Sequence, residues 1–168
     1  PHAARELMRV LVLEALEAAV GADASVNYAP GASVPERFHP HPFDTFEAAV
    51  ALARATPGIS ATAGLHPHDA RHWSDEKARW LETALTWPEV VAIGETGLDY
   101  HYDFSPREQQ RTAFEAQMEL AGRRGCPAII HAREADDDLL SVLRNHPRTL
   151  AILHSYSSGS ELCRGAVA

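Results

Sequence analysis

Val90-Val91-Ala92-Ile93-Gly94-Glu95-Thr96-Gly97-Leu98-Asp99-Tyr100 is the stretch on which the fold turns. Four apolar residues are broken by Gly94, a carboxylate follows at once, and Gly97 opens a second turn before a polar loop. A short apolar run bounded by glycines reads as a buried parallel strand. The carboxylate just past its end then sits at the carboxyl edge of the sheet, where α/β proteins place their chemistry. The competing reading is a strand-ending turn whose Glu is merely solvated, and the strands on either side bear on it.

Downstream, Pro127–Ile130 reads as a strand ending in His131-Ala132-Arg133, and Leu150–Leu153 as another ending in His154. Upstream, Ile59–Leu65 reads as a strand ending in His66-Pro67-His68. From His66 to Glu95 is 29 residues, from Glu95 to His131 36, and from His131 to His154 23. A βα crossover unit needs roughly 30 residues, so these intervals suit parallel strands joined by helices.

The intervening segments supply the helices. One runs from an Asp44 or Thr45 cap to about Ala55 and is stopped by Pro57-Gly58. A second starts at a Ser74 cap and runs to about Leu85. The longest begins at Ser105-Pro106, with Pro at its first helical position and Glu108 in its first turn, and reaches Arg124. Two more run from about Glu134 to Asn145 and from near Ser160. At the amino end, Ala4–Val20 has helical periodicity with Gly21 after it, Ser25–Tyr28 reads as a short strand, and Pro30–Pro42 is a proline-rich loop. The class is α/β with a parallel sheet, in one domain over residues 1–168.

Composition sets the outer bounds. A chain of 168 residues, 45% hydrophobic, can bury a sizeable core. Its net charge of −8 gives no electrostatic footprint for holding nucleic acid by charge alone, although a bound divalent cation can outweigh local protein charge. Cys126 and Cys163 share no short metal-binding spacing and read as reduced thiols, and no apolar run reaches membrane-span length. A cytoplasmic protein is the expectation.

If the strand ends converge on one face, Glu95, His131 and His154 form a set suited to divalent metal, with the carboxylate able to bridge two ions. A lone histidine is more often a hydrogen-bonded core or edge residue, and it is the repetition at successive strand ends that favours a metal site. Asp136-Asp137-Asp138 reads as a solvated helix start. His72, His101 and His146 read as surface residues, and Trp73, Trp80 and Trp87 as packing around one helix.

Four motifs together carry a family resemblance: Gly64-Leu65-His66-Pro67-His68, Ile93 to Tyr100, Ile129-Ile130-His131-Ala132-Arg133, and Leu153-His154-Ser155-Tyr156-Ser157-Ser158-Gly159. With Gln109-Gln110 and Phe114 between the second and third, they resemble the successive signatures of TatD-type metal-dependent deoxyribonucleases, over about residues 43–159. The resemblance implies an amidohydrolase-like (β/α)₈ TIM barrel that cleaves phosphodiester bonds at DNA ends with metal-activated water. It implies two divalent ions (Mg, Mn or Zn), bridged by Glu95 and held by His131 and His154. It places His66 on the substrate side and makes Arg133 either a phosphate contact or part of a structural ion pair.

Two parts of that pattern have no match. The family's opening strand ends in His-x-His, whereas His39-Pro40-His41 sits in a proline-rich loop only 25 residues before His66, counted from His41, and His2 stands alone. The family's last ligand, an Asp near the eighth strand, has no counterpart. A full barrel of this kind takes about 250 residues, so the expectation is a partial barrel of roughly five βα units, lacking the first strand and the last units, and inactive by itself. The alternatives are a non-catalytic truncated barrel and an amidohydrolase acting on a C–N bond. Against the latter, several binuclear amidohydrolases bridge their metals with a carboxylated lysine at a strand end, and the chain's only lysine, Lys77, lies in a helix.

Overall fold

The computed structural model describes residues 42–154, apart from 57 and 59, and residues 160–167. The Ala4–Val20 helix, the Ser25–Tyr28 strand, the histidines at 2, 39 and 41, and the motif residues 155–159 lie outside that set. Internal contacts divide the chain into two compact units, Pro1–Ala61 and Thr62–Ala168. In the first, α1 (Pro42–Ala55) buries Phe46 and Val50, one turn apart on the same side.

Strand β1 (Ala61–Ala63) leads through His66 into a 3₁₀ helix over Pro67–His72, and α2 (Asp75–Ala84) follows. Then come β2 (Val90–Asp99), α3 (Arg107–Arg124), β3 (Ala128–Arg133), α4 (Asp136–Asn145), β4 (Ala151–Leu153) and α5 (Ser160–Val167). The four strands form one parallel sheet in the order β1-β2-β3-β4, alternating with helices as the apolar runs implied.

The local reasons are ordinary ones. Ser74 caps α2 by accepting from the Lys77 N–H at 3.3 Å, and Gly125 closes α3 with φ +66°. Pro106 is the cap of α3 and not its first helical residue, and α4 starts at Asp136 because Glu134 has φ +54°. Helix α3 lays Ala113, Phe114, Gln117, Met118 and Ala121 against the sheet, spaced as one helical face. Ile93, Leu98, Ile130, Leu139 and Val142 complete a core that excludes water. Among the described residues, no helix is long and apolar enough to cross a membrane.

The central stretch departs from its reading in one respect. Gly94 does not end the strand. Instead β2 continues to Asp99, and its register against β3 slips: Ile93 pairs with Ala128, but Thr96 pairs with Ile130. Three residues on β2 therefore span two on β3, a bulge that contains Glu95. The Gly94–Glu95 peptide is cis. Strand β3 likewise extends past the expected Ile130, so His131 lies within a strand and opposite Gly97.

The glycines permit this pairing. A Cβ on Gly64 would lie 2.8 Å from the Gly94 nitrogen, and one on Gly94 would lie 2.6 Å from Ile129 Cβ. Gly97, at φ +135°, has no room for a Cβ against the carbonyl oxygen of His131. Gly97→Ala should therefore cost more stability than Gly125→Ala, whose left-handed position has nothing within 4 Å of an added Cβ. The strain of a left-handed non-glycine residue alone is roughly 1–2 kcal/mol, and only Gly97→Ala adds a backbone collision. Urea unfolding of both variants measures the difference, and equal losses would show that β3 yields freely at His131.

Candidate metal centre

The strand ends and the 3₁₀ helix deliver five side chains to one place. His131, from β3, lies with Nδ1 3.1 Å from Glu95 Oε1 and Nε2 2.9 Å from Asp99 Oδ2. His68, from the 3₁₀ helix, places its Nε2 2.9 Å from the same Asp99 oxygen. His66 stands beside them, its ring centre 4.3 Å from that of His68 and 4.7 Å from that of His131. One potential ligand atom from each of His66, His68 and His131 lies within 4.8 Å of the other two.

Asp99 has no exposed surface, and Glu95 keeps 14% of its side-chain exposure. A buried carboxylate must be paired, and Asp99 is paired on both oxygens. Its Oδ1 accepts the backbone N–H groups of His101 and Tyr102 at 3.1 and 2.9 Å, and its Oδ2 faces the two imidazoles. Burial pushes the Asp99 carboxyl up, but the hydrogen bonds from Tyr102, His68 and His131 outweigh it and bring the value down to about 2. An ionised carboxylate carries no proton, so both imidazole nitrogens at Oδ2 donate to it.

The same contest runs at the neighbouring groups. Burial raises Glu95, yet the His131 hydrogen bond and the fields of His66, His131 and His154 hold it below the usual carboxylate range. Burial lowers His131, yet its bonds to Glu95 and Asp99 leave it above the usual histidine value. At His66 burial wins and the value falls to about 4, so this ring is neutral at pH 7. Two ionised, mostly buried carboxylates facing three imidazoles form a donor set suited to a divalent cation. His66, His68 and His131 present the nitrogens, Glu95 is within reach of His131 as a further oxygen donor, and Asp99 orients two of the rings.

Two buried glutamines of α3 fix the backbone that carries this set. Gln117 accepts from the Leu65 N–H at 2.7 Å and donates to the Leu65 carbonyl at 3.1 Å, holding the peptide before His66. It also donates to Thr96 Oγ1, next to Glu95. Gln110 makes the same two-sided clamp on Asp99, accepting from its N–H at 2.8 Å and donating to its carbonyl at 3.0 Å.

Of the residues singled out from sequence, Glu95 and His131 are in contact and His66 is beside them. His66 stands within the possible ligand set and not only on the substrate side. His154, one residue past β4, is exposed and outside the histidine triad, although its field reaches Glu95. Arg133 is exposed, with its guanidinium 4.8 Å from the centre of the Tyr102 ring. His101, exposed as read, pairs with Glu134 at 2.7 Å, and His146, only partly exposed, pairs with Glu115 at 2.6 Å. Asp138 is likewise more than a solvated helix start, since it accepts from Tyr100 and Arg111. His68 and Asp99 were not singled out from sequence. Their signals were the second histidine of His66-Pro67-His68 and an Asp two residues after Gly97.

Comparison with known proteins places these features in a family. The model for TatD-related DNases matches residues 6–168. Over 112 residues the chain is 46% identical to the 3'-5' ssDNA/RNA exonuclease TatD of Edwardsiella piscicida, covering 65% of this chain and 43% of that protein. The counterpart in Erwinia billingiae is 45% identical over 116 residues, covering 67% and 44%. The chain thus spans under half the length of these relatives. Among solved structures, the TatD homologue YJJV from Escherichia coli K12 superimposes with a TM-score of 0.65 at 33% identity, over 74% of this chain and 49% of that one. An uncharacterized amidohydrolase from Saccharomyces cerevisiae, 17% identical with a TM-score of 0.60 over 73% and 50%, shares the fold. With the family model matching nearly its whole length, the chain belongs to the TatD-related DNase family.

Proposed function

We propose that this chain carries the β2–β3 part of a metal-dependent nuclease centre whose whole protein hydrolyses phosphodiester bonds at the ends of single-stranded DNA or RNA in the cytoplasm. The observation that carries the reading is the contact of Glu95 with His131, inside a set of three histidines whose ligand atoms approach within 4.8 Å. Support for the substrate comes from the relatives named as 3'-5' ssDNA/RNA exonucleases. Catalysis is assigned to the whole protein because this chain matches under half of those relatives.

When bound, two divalent ions (Mg, Mn or Zn) supply Lewis-acid polarisation of the phosphodiester and acidify water at neutral pH. We assign Glu95, His131 and His154 as ligands, with Glu95 bridging, and we add His68 to His66 as candidates for the same set. The remaining work falls to the chain's own groups. Asp99 holds the Nε2–H of His68 and of His131, which leaves Nδ1 of His68 to act as a ligand, and Nδ1 of His131 once it no longer carries a proton toward Glu95. Arg133, always charged, is assigned to a phosphate oxygen at the rim of the site.

The C–N hydrolase reading is weaker here because Lys77, the chain's only lysine, lies in α2 and away from the strand ends. A bridging role for Glu95 requires no lysine carboxylation.

Titration of manganese or zinc into the 168-residue chain, followed by calorimetry, tests the ligand set directly. His131→Ala should abolish saturable binding. Asp99→Asn should weaken it by about 10- to 100-fold, the usual cost of losing a group that orients a metal-binding histidine, and His72→Ala should leave it unchanged. Wild-type binding that survives His131→Ala would place the metal elsewhere.

Activity is tested in the whole protein with single-stranded oligonucleotides beside a panel of cyclic amides and lactams. Shortening of the oligonucleotides should require added magnesium or manganese, ignore bicarbonate, and fall to background in Glu95→Gln. Cleavage of a C–N bond with the oligonucleotides left intact would overturn the assignment.

A further inference from the structure

The loop after β2 leaves two large aromatic rings in water beside the metal centre. Tyr102 and Phe104 are 48% and 51% exposed, and their rings lie nearly parallel, 14° apart with centres 5.4 Å apart. His68 stands edge-on to both, its ring centre 5.6 Å from that of Tyr102 and 4.8 Å from that of Phe104. The aromatic pair is therefore continuous with the histidine set. Arg133 adds a cation 4.8 Å from the centre of the Tyr102 ring.

This loop is pinned by hydrogen bonds. The Tyr102 N–H donates to Asp99 Oδ1, and the Phe104 carbonyl accepts from Arg71 at 3.0 Å. Ser105 Oγ accepts from the Arg71 N–H and donates to the His68 carbonyl at 2.7 Å. Two exposed rings held in register lose little further freedom when a flat ligand lands on them, which favours binding by a preformed surface. A stacked aromatic pair next to a cation is the surface chemistry that nucleobases recognise in single strands, where each base offers a π-face and the phosphate a charge.

The neighbouring cavity does not suit the same ligand. It holds about 670 Å³ and is lined by Tyr100, Arg133 and the carboxylates of Glu134, Asp136, Asp137 and Asp138. Those carboxylates repel a phosphodiester backbone, which favours the aromatic side of Arg133 for such a ligand.

Resting on the nuclease reading above, we propose that Tyr102 and Phe104 form a stacking seat for a nucleobase adjoining the phosphodiester at the metal centre, with Arg133 on the phosphate beside it. The seat makes recognition depend on an unpaired base without selecting its identity, because stacking tolerates any base.

The test is a binding measurement on the 168-residue chain in EDTA, with labelled five-nucleotide thymidine oligonucleotide and an abasic oligonucleotide of equal phosphate number. Wild type should bind the base-bearing oligonucleotide more tightly. The double variant Tyr102→Ala/Phe104→Ala should lose at least about fivefold in affinity for it, a conservative value for one stacked base, and keep its affinity for the abasic strand. Tyr102→Leu/Phe104→Leu, which retains apolar bulk, should behave like the alanine pair, and Tyr102→Phe, which keeps both rings, should bind as the wild type does. Equal wild-type affinity for the two oligonucleotides, including no detectable binding of either, would overturn the proposal, as would a variant that weakens both alike. The nuclease reading fails separately. Base-dependent binding in EDTA with no metal-dependent cleavage by the whole protein would sink that reading and leave the seat. Metal-dependent cleavage whose KM is untouched by the aromatic substitutions would do the reverse.

Discussion

A single buried carboxylate gathers this site. Asp99 has no exposed surface, and an ionised group in that position is tolerable only when its lone pairs are filled. The protein fills them from three directions: the imidazole of His68 from the 3₁₀ helix, the imidazole of His131 from β3, and the backbone N–H groups of the following loop. Each donor belongs to a different segment, so satisfying one anion draws those segments together. Gln110 then clamps the Asp99 peptide itself from α3, so the helix, the strand and the site share one hydrogen-bonded centre. Removing Asp99's charge would leave the two imidazoles without a common acceptor and the loop without its anchor.

Glu95 reaches the same centre by a different device. In a regular strand, alternate side chains point to opposite faces, so Glu95 falls on the side of Asp99, four residues on, and of His131, which pairs with Gly97. The extra residue between Ile93 and Thr96 shifts the alternation of the preceding apolar run relative to this half of the strand. Close backbone approach at Gly64, Gly94 and Gly97 is the condition for that geometry, since a Cβ at any of them would meet a neighbouring strand. The glycines that interrupt the apolar run are thus what allows β2 to continue.

These particulars explain how far the sequence could be read. Apolar runs spaced by crossover lengths disclosed the parallel order of the strands, because burial of β1 through β4 requires such runs. Glu95 and His131 were legible as a pair because each follows or interrupts a run at the same end. The bulge was not legible: Gly94 and Gly97 carry the same local signal whether they end a strand or let it approach another. Nor was Asp99, since an aspartate two residues after a glycine looks like a turn residue until tertiary packing removes its water. Gln110 and Gln117 sit on the buried side of α3, where a polarity pattern would place solvent-facing residues. Their burial is made possible by strand-edge peptides that no local pattern shows.

An acidic chain in a nuclease family poses an electrostatic question, which the site geometry answers. With a net charge of −8, attraction for a phosphodiester cannot come from a general positive field. It must be local and short-ranged. Asp99 and Glu95 concentrate negative charge where a divalent cation would reverse its sign, so the carboxylates that repel a bare phosphate become the means of holding its counter-ion. Salt screening acts most strongly between exposed charges farther apart than about 8–10 Å, and least on groups buried together as these are. The proposed stacking on Tyr102 and Phe104 would add attraction that needs no charge. On the proposed reading, a strand end would be held by the cation site, one arginine and two rings, without the basic track along which a duplex-binding protein would follow its substrate.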